Sequence, residues 1–188
     1  MKFKLPTKSD LKSRTSTINN AFAISITPYI YPSPIETVHF LEELQIKEGQ
    51  CAYCLGEANA MDHVKPLVTN GLPTGYITEI KNLVPCCSAC NSAKGAKDFL
   101  LWYKSQKNIE RLYRKGLDDE QIDDRFNIVS AYIDKIPQPI NYKEILGDEI
   151  WDEYIARKSK MLELLKENQT FCNQLSTIIA KKIEKEHK

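Results

Sequence analysis

Two CxxC pairs, Cys51/Cys54 and Cys87/Cys90, enclose an Asp-His dipeptide at Asp62-His63, and an asparagine, Asn91, directly follows the last cysteine. Four thiolates at these spacings can close a tetrahedral zinc site that leaves no position for water or substrate, so such a metal would be structural. The 32 residues between the pairs exceed the usual ribbon spacing, so something the size of a hairpin must fit between the two knuckles. Zinc binding would supply folding free energy to this segment directly, because no preformed site exists in the unfolded chain. The rival reading, a pair of disulfides, suits a secreted protein. The N-terminus is charged and lacks the apolar core of a signal peptide, which favours metal.

The enclosed residues suit a different chemistry. Hydrolysis of a phosphodiester needs a base to activate water and a cation to offset charge on the phosphate and the leaving oxygen. His63 is the candidate base, since imidazole titrates near neutrality. Asp62 and Asn91 offer hard oxygen ligands of the kind Mg²⁺ (or Mn²⁺) takes, and two protein ligands leave room for waters and a phosphate. Neighbouring strand residues point to opposite faces, so Asp62 and His63 can share a site only where a strand ends; Pro66 suggests such an end.

The string DHVKP followed by NLVPCCSACNSAKG resembles the HNH nucleases of the ββα-metal class, in their zinc-bound form with two cysteine pairs. The resemblance covers about the middle quarter of the chain. It implies that His63 is the general base, that Asp62 and Asn91 hold the catalytic metal, and that Asn82 is the middle asparagine orienting the base through hydrogen bonds. Cys51, Cys54, Cys87 and Cys90 match the zinc ligands. Asp62 and Asn91 stand where the family name has histidines, and Cys86 beside Cys87 offers a second register for the knuckle; Cys87 keeps the CxxC spacing. Lys94 and Lys97 stand where the family often keeps a phosphate-contacting lysine. With Lys65 and Lys81 they form the expected nucleic-acid-binding set. A solvated helix face is the bland alternative for Lys94 and Lys97, and a turn residue is the alternative for Asn82.

The elements that must position these residues read as follows. The chain has 188 residues, 42% of them hydrophobic, enough for one compact domain or two small ones. Ser33-Pro34-Ile35-Glu36 is a helix start with a capping box, Ile35, Val38, Leu41 and Leu44 recur on one face, and Gly49 is the stop. His39 in this helix has no metal partner nearby in sequence and reads as non-catalytic. Strands are expected at 58–64 and 77–84, joined by a loop rich in turn formers at Asn70-Gly71, Pro73 and Gly75. A helix from about Ser88 places Asn91 in its first turn, Gly95 ends or bends it, and Asp98 begins a new cap. Phe99, Leu100, Trp102 and Tyr103 read as core.

From Gln121 to Ile136 apolar residues recur at helical spacing up to Pro137. A long helical tract follows from a cap at Asp148 toward Glu186. Its stripe of Trp151, Ile155, Leu162, Leu165, Cys172, Leu175, Ile179 and Ile183 is interrupted by Lys158 and Gln169. Packing on the central module is one reading of that stripe, a dimer seam the other, and Cys172 reads as an inert buried thiol.

These readings give an α+β fold, predominantly α: a zinc-clamped ββα-metal module at 49–98, between an N-terminal arm and helical segment at 1–48 and a C-terminal helical region at 99–188. Twenty-six basic residues stand against 25 acidic ones, a net charge of +1, so any binding to nucleic acid must come from a local patch. The basic N-terminal run of Lys2, Lys4, Lys8, Lys12 and Arg14 reads as a phosphate-tracking arm or a solvated terminus. With no apolar run long enough to span a bilayer, a cytoplasmic protein without a membrane partner is expected. The resemblance implies a metal-dependent endonuclease acting on double-stranded DNA, leaving 5′-phosphate and 3′-hydroxyl ends. The chain resembles small bacterial type II restriction endonucleases of this class, which implies a homodimer and a cognate methyltransferase or defence-system partner. The alternatives are a partner-controlled nuclease effector of a phage-defence system and a zinc-bound nucleic-acid-binding module without catalysis.

Overall fold

The computed structural model describes residues 10–186, so Lys2, Lys4 and Lys8 of the basic run lie outside the described residues. In chain order the elements are α1 (Thr15–Ser25), α2 (Pro34–Glu43), β1 (Ala60–His63), β2 (Val68–Thr69), β3 (Leu72–Pro73), β4 (Leu83–Cys86), α3 (Ser88–Lys94), α4 (Phe99–Tyr103), α5 (Gln106–Tyr113), α6 (Asp119–Ile133), α7 (Tyr142–Leu146) and α8 (Asp148–Glu186). Short 3-10 turns lie at Lys12–Arg14 and Ile80–Asn82. The fold is α+β and predominantly α.

Two compact units emerge, one at residues 26–140 and one made of 10–25 with 141–186. The boundaries fall at 25/26 and 140/141 rather than at 48/49 and 98/99. The reason is packing: helices beyond 98 share one hydrophobic core with the cysteine-bearing segment, where Phe40, Leu44, Tyr53, Val84, Phe99, Trp102, Leu112 and Val129 meet.

Helix α2 starts as its capping box requires: Ser33 Oγ accepts from the Glu36 N–H while Glu36 returns a bond to the Ser33 N–H. Its buried face differs from the expected one. Ile35 and Val38 are exposed, and Phe40 and Leu44, one turn apart, enter the core. Nor does Gly49 stop the helix. It ends at Glu43, and Gln45 takes a left-handed φ of 48° just after it. The carbonyls freed at that end are taken by Arg125 of α6. This buried guanidinium donates to Leu44 O (2.6 Å), Gln45 O (3.2 Å) and Ala52 O (3.1 Å), tying α2 and the first knuckle to α6.

Strand β1 pairs antiparallel with β4 in the register Asp62↔Val84 and His63↔Leu83. The second strand therefore lies at Leu83–Cys86, later than expected from 77–84, because Ile80–Asn82 closes into a 3-10 turn. Pro85 is tolerated because in a two-stranded sheet each strand has an unpaired edge. Asn70 and Gly71, both at positive φ, turn the small β2–β3 hairpin. Asp98 caps α4 through the N–H groups of Leu100 and Leu101, as its position suggested. Phe99, Trp102 and Tyr103 are buried, packed among Tyr53 and Phe126, whereas Leu100 is exposed.

In the other unit α8 packs on α1, on the Lys12–Arg14 turn and on α7. Tyr142, Trp151 and Tyr154 stack in series, and Phe22 meets Tyr154. Asp148 is not the cap but the first residue of α8, following Gly147 at φ 79°. The interrupting polar residues, Lys158 and Gln169, are the buried ones, Gln169 accepting a bond from the Leu11 N–H. Cys172, expected to be buried, is exposed, and so are Leu175, Ile179 and Ile183 on the last third of the helix. No described helix is long and apolar enough to cross a membrane.

Candidate active site and metal centre

The Sγ atoms of Cys51, Cys54, Cys87 and Cys90 lie within 4.8 Å of one another, and three of the four residues are buried. Cys54 and Cys87 Sγ stand 3.8 Å apart. Sulfurs at about 2.3 Å from a tetrahedral zinc lie about 3.8 Å from each other, so the cluster has the size of a zinc tetrathiolate. Local geometry closes it: Cys51 N–H donates to Gly56 O, Cys87 caps α3 by accepting from the Cys90 N–H, and Leu55 sits at a left-handed φ of 57° to turn the first knuckle. Cys86 is outside the cluster. It is buried in β4, where burial, with the charge of Asp62 adding, pushes its thiol up to about 12, so it is a protonated core side chain.

Two cations face these sulfurs from beyond the second knuckle. Lys115 Nζ lies 3.3 Å from Cys54 Sγ and 3.2 Å from Cys87 Sγ, and Arg111 Nη1 lies 3.2 Å from Cys90 Sγ. Four thiolates around a divalent ion carry a charge of roughly −2, which these two side chains balance. Partial burial opposes the charge on Lys115, but its bonds to Cys87 and Cys54 outweigh that and raise its pKa. Arg111 is held in turn by Asn108 Oδ1 and lies over the Trp102 ring.

The Asp-His pair sits at the end of β1, against α3. Asp62 is buried, and its Oδ2 accepts from Tyr53 Oη at 2.6 Å and from Lys94 Nζ at 3.0 Å. Lys94 also donates to His63 O at 2.9 Å, so one ammonium ties both members of the dipeptide to α3. Burial first, then the Asp62 charge and hydrogen bond, raise the Tyr53 pKa well above its ordinary value, so it stays a donor. His63 is half-buried and its Nε2 lies 3.0 Å from Thr78 Oγ1. Burial lowers its pKa, the Asp62 carboxylate opposes this and the Lys94 ammonium reinforces it, leaving the ring neutral at pH 7.

Asn82 is fully buried, but its bonds differ from those expected. It accepts from the Lys65 N–H (2.8 Å) and donates to the carbonyls of Lys65 and Ile77 (3.1 Å each). It thus fixes the backbone that leaves His63, while the ring itself is met by Thr78. Thr78 is held by an earlier segment: the Ile30 N–H donates to its carbonyl and its own N–H donates to Pro28 O. Asn91 is half-buried in the first turn of α3.

The expected phosphate lysines divide. Lys94 is a correction: with a fully buried side chain paired to Asp62, it is an internal cation and not a surface one. Lys65 is half-buried and pairs with Asp98 at 3.8 Å; Lys81 is exposed beside the Ile80–Asn82 turn; Lys97 is exposed and caps α3 through Ala93 O. Tyr53, Thr78, Arg111 and Lys115 were not singled out by the sequence. A tyrosine inside a knuckle and cations 21 to 61 residues past the thiolates they meet carry no pattern that would mark them.

The described contacts of Asp62 leave its Oδ1 open to a divalent cation. A carboxylate has about four lone-pair positions, and the bonds to Tyr53 and Lys94 take two of them, both on Oδ2.

Residues 51–97 match the family model described as HNH endonuclease, which covers the two cysteine pairs, the Asp-His pair, Asn82, Asn91 and Lys94. No curated protein and no solved structure matches the chain.

Proposed function

We propose that this protein is a metal-dependent endonuclease that hydrolyses phosphodiester bonds of double-stranded DNA. The observation that carries this is a histidine kept neutral by burial, beside a buried carboxylate, on a strand end that the cysteine cluster and α3 hold in place. A divalent cation such as Mg²⁺, held by Asp62 and Asn91, would supply the positive charge that offsets charge developing on the phosphate and the leaving oxygen.

The chain's own residues do the rest. With Thr78 Oγ1 accepting from Nε2–H, Nδ1 of His63 keeps its lone pair and takes the proton from a water. The resulting hydroxide attacks phosphorus in line with the 3′ oxygen, whose bond to phosphorus breaks; the departing 3′ oxygen takes a proton from a solvent water, leaving 5′-phosphate and 3′-hydroxyl ends. Lys94 and Tyr53 fix the orientation of Asp62, and Asn82 fixes the backbone after His63. The zinc takes no part in the chemistry.

As a biological role we propose a type II restriction endonuclease, acting as a homodimer with one site for each strand and opposed by a cognate methyltransferase. Digestion of a supercoiled plasmid and a long linear duplex by wild type and His63→Ala tests this. Mg²⁺ is omitted, not chelated, in the control, because a chelator would also strip the cysteine cluster. Discrete fragments that require Mg²⁺ and vanish in the variant are expected. A smear would replace the restriction role by a partner-controlled effector. DNA binding without any cleavage would leave a non-catalytic module, and a molar mass of one chain with and without DNA would overturn the homodimer.

A further inference from the structure

Between Asn91 and Leu117 the chain carries seven basic residues, Lys94, Lys97, Lys104, Lys107, Arg111, Arg114 and Lys115, against two acidic ones, Asp98 and Glu110. This is a local excess of positive charge in a chain whose net charge is +1. Four of the seven are paired within the chain: Lys94 to Asp62, Lys104 to Asp123 at the surface, and Arg111 and Lys115 to the cysteine sulfurs. The other three, Lys97, Lys107 and Arg114, are exposed.

Those three line a single groove of about 680 Å³, formed where α3, α4 and α5 meet. Its one acidic lining residue, Asp98, is paired with Lys65. The acidic residues that open α6 do not line it. Trp102 and the exposed Leu101 give it an apolar lining, and Ser92, the residue after Asn91 on α3, lines it as well. Cations beside an apolar lining match one strand of a nucleic-acid backbone, whose phosphates seek charge and whose sugars present apolar faces.

We propose that this groove is a track for the phosphodiester backbone of duplex DNA, with Lys97, Lys107 and Arg114 contacting its phosphates. This rests on the nuclease reading and extends it beyond residue 97, where the family match ends. Such contacts position the duplex and carry no base information.

The test is a fluorescence anisotropy titration of a short labelled duplex, and of one of its strands alone, over a series of KCl concentrations. Full-length His63→Ala is the parent, so the DNA stays intact, and a Lys107→Ala/Arg114→Ala double variant is compared with it. Both side chains are at the surface, and a matching urea midpoint establishes that the variant folds. Each lost phosphate contact lowers the salt slope by about 1, so a reduction of about 2 is expected, with weaker binding to every duplex sequence. A control pair on α8, Lys181→Ala/Lys182→Ala, is expected to leave the slope unchanged. An unchanged slope in the groove variant, an equal loss in the control, or an effect on the single strand alone each overturns the proposal while leaving the nuclease reading intact. A reduced slope, together with a wild type that cuts nothing in Mg²⁺, would sink the nuclease reading and leave the groove standing. No binding by the parent would end both.

Discussion

The cysteine cluster and the Asp62 pocket face the same electrostatic difficulty and meet it from different distances. Each gathers negative charge in a poorly solvated place, where an unbalanced ion costs several kcal/mol. The pocket is balanced locally: Lys94 lies on the helix that carries Asn91, within the family-matched segment, and is as deeply buried as the aspartate it serves. The cluster is balanced from outside, by Arg111 and Lys115 on and after α5, a helix that the match does not include. The family-matched segment therefore leans on both flanks in this chain. Its C-terminal flank supplies the cations that face the cysteine cluster, and its N-terminal flank, through Pro28 and Ile30, holds the threonine that meets His63.

Breaking the cluster outright should have the largest effect. Binding of structural zinc is worth about 10 kcal/mol or more in small domains, comparable to the whole stability of this unit. Tyr53 lies between Cys51 and Cys54 and packs on Phe99 and Trp102. Stripping the metal with a chelator, or Cys51→Ser, should thus abolish the near-ultraviolet circular dichroism of the aromatic core, with release of one zinc per chain. Retention of that signal by metal-free protein would show that the flanks hold the core unaided.

Breaking the pocket comes next. Lys94→Met leaves Asp62 buried without its cation, and Asp62→Ala leaves Lys94 the same way; each should cost about 3–5 kcal/mol in urea unfolding. In the double variant Asp62→Ala/Lys94→Met the charge is gone from both sides, so the loss should be well below the sum of the singles. Additive losses would mean that the two groups do not act as a pair. A practical consequence is that Asp62→Ala cannot separate chemistry from folding, whereas His63→Ala can.

Removing the outer counter-charges should be milder. Arg111→Gln and Lys115→Gln keep much of the side-chain volume and delete the charge, and loss of such supporting groups weakens metal sites by about 10- to 100-fold. Competition with a chromogenic chelator should show faster zinc loss in each variant, with the unfolding midpoint in excess zinc nearly unchanged. Equal zinc retention in both would show that the thiolates need no balancing from α5.

The same division explains what could be read from the sequence. Interactions closed within a few residues were legible: the Ser33 capping box, the Asp98 cap, the two knuckles and the choice of Cys87 over Cys86 all depend on spacings of two to four residues. The helical stripe of α8 was legible as a pattern but not as an outcome. Burial depends on what lies opposite and not on the stripe itself: Leu175 and Ile183 are exposed while the interrupting Lys158 and Gln169 are buried. Contacts made across long separations left no trace. Arg125 reaches carbonyls 73 to 81 residues away and could as well have been a surface charge. Lys94 read as a phosphate ligand because a lysine three residues past Asn91 carries no mark of its burial; only the packing of α3 on β1 decides it.

Thr78 offers the smallest and most selective perturbation. Its hydroxyl is the described partner of the His63 ring, and one neutral hydrogen bond contributes about 1 kcal/mol. Thr78→Val keeps the shape and deletes the acceptor, so the ring is free to adopt the other tautomer and to rotate. If that freedom is expressed in the transition state, about 1 kcal/mol corresponds to a cleavage rate reduced about fivefold. Substrate affinity and the urea midpoint should hardly move, and Thr78→Ser should restore most of the rate by returning the hydroxyl. A merely structural threonine would behave otherwise: its backbone bonds to Pro28 and Ile30 survive either substitution, so any loss would follow the missing methyl and be larger in Thr78→Ser than in Thr78→Val. The order of those two variants therefore decides whether the N-terminal flank reaches the chemistry through Thr78 or only packs beneath it.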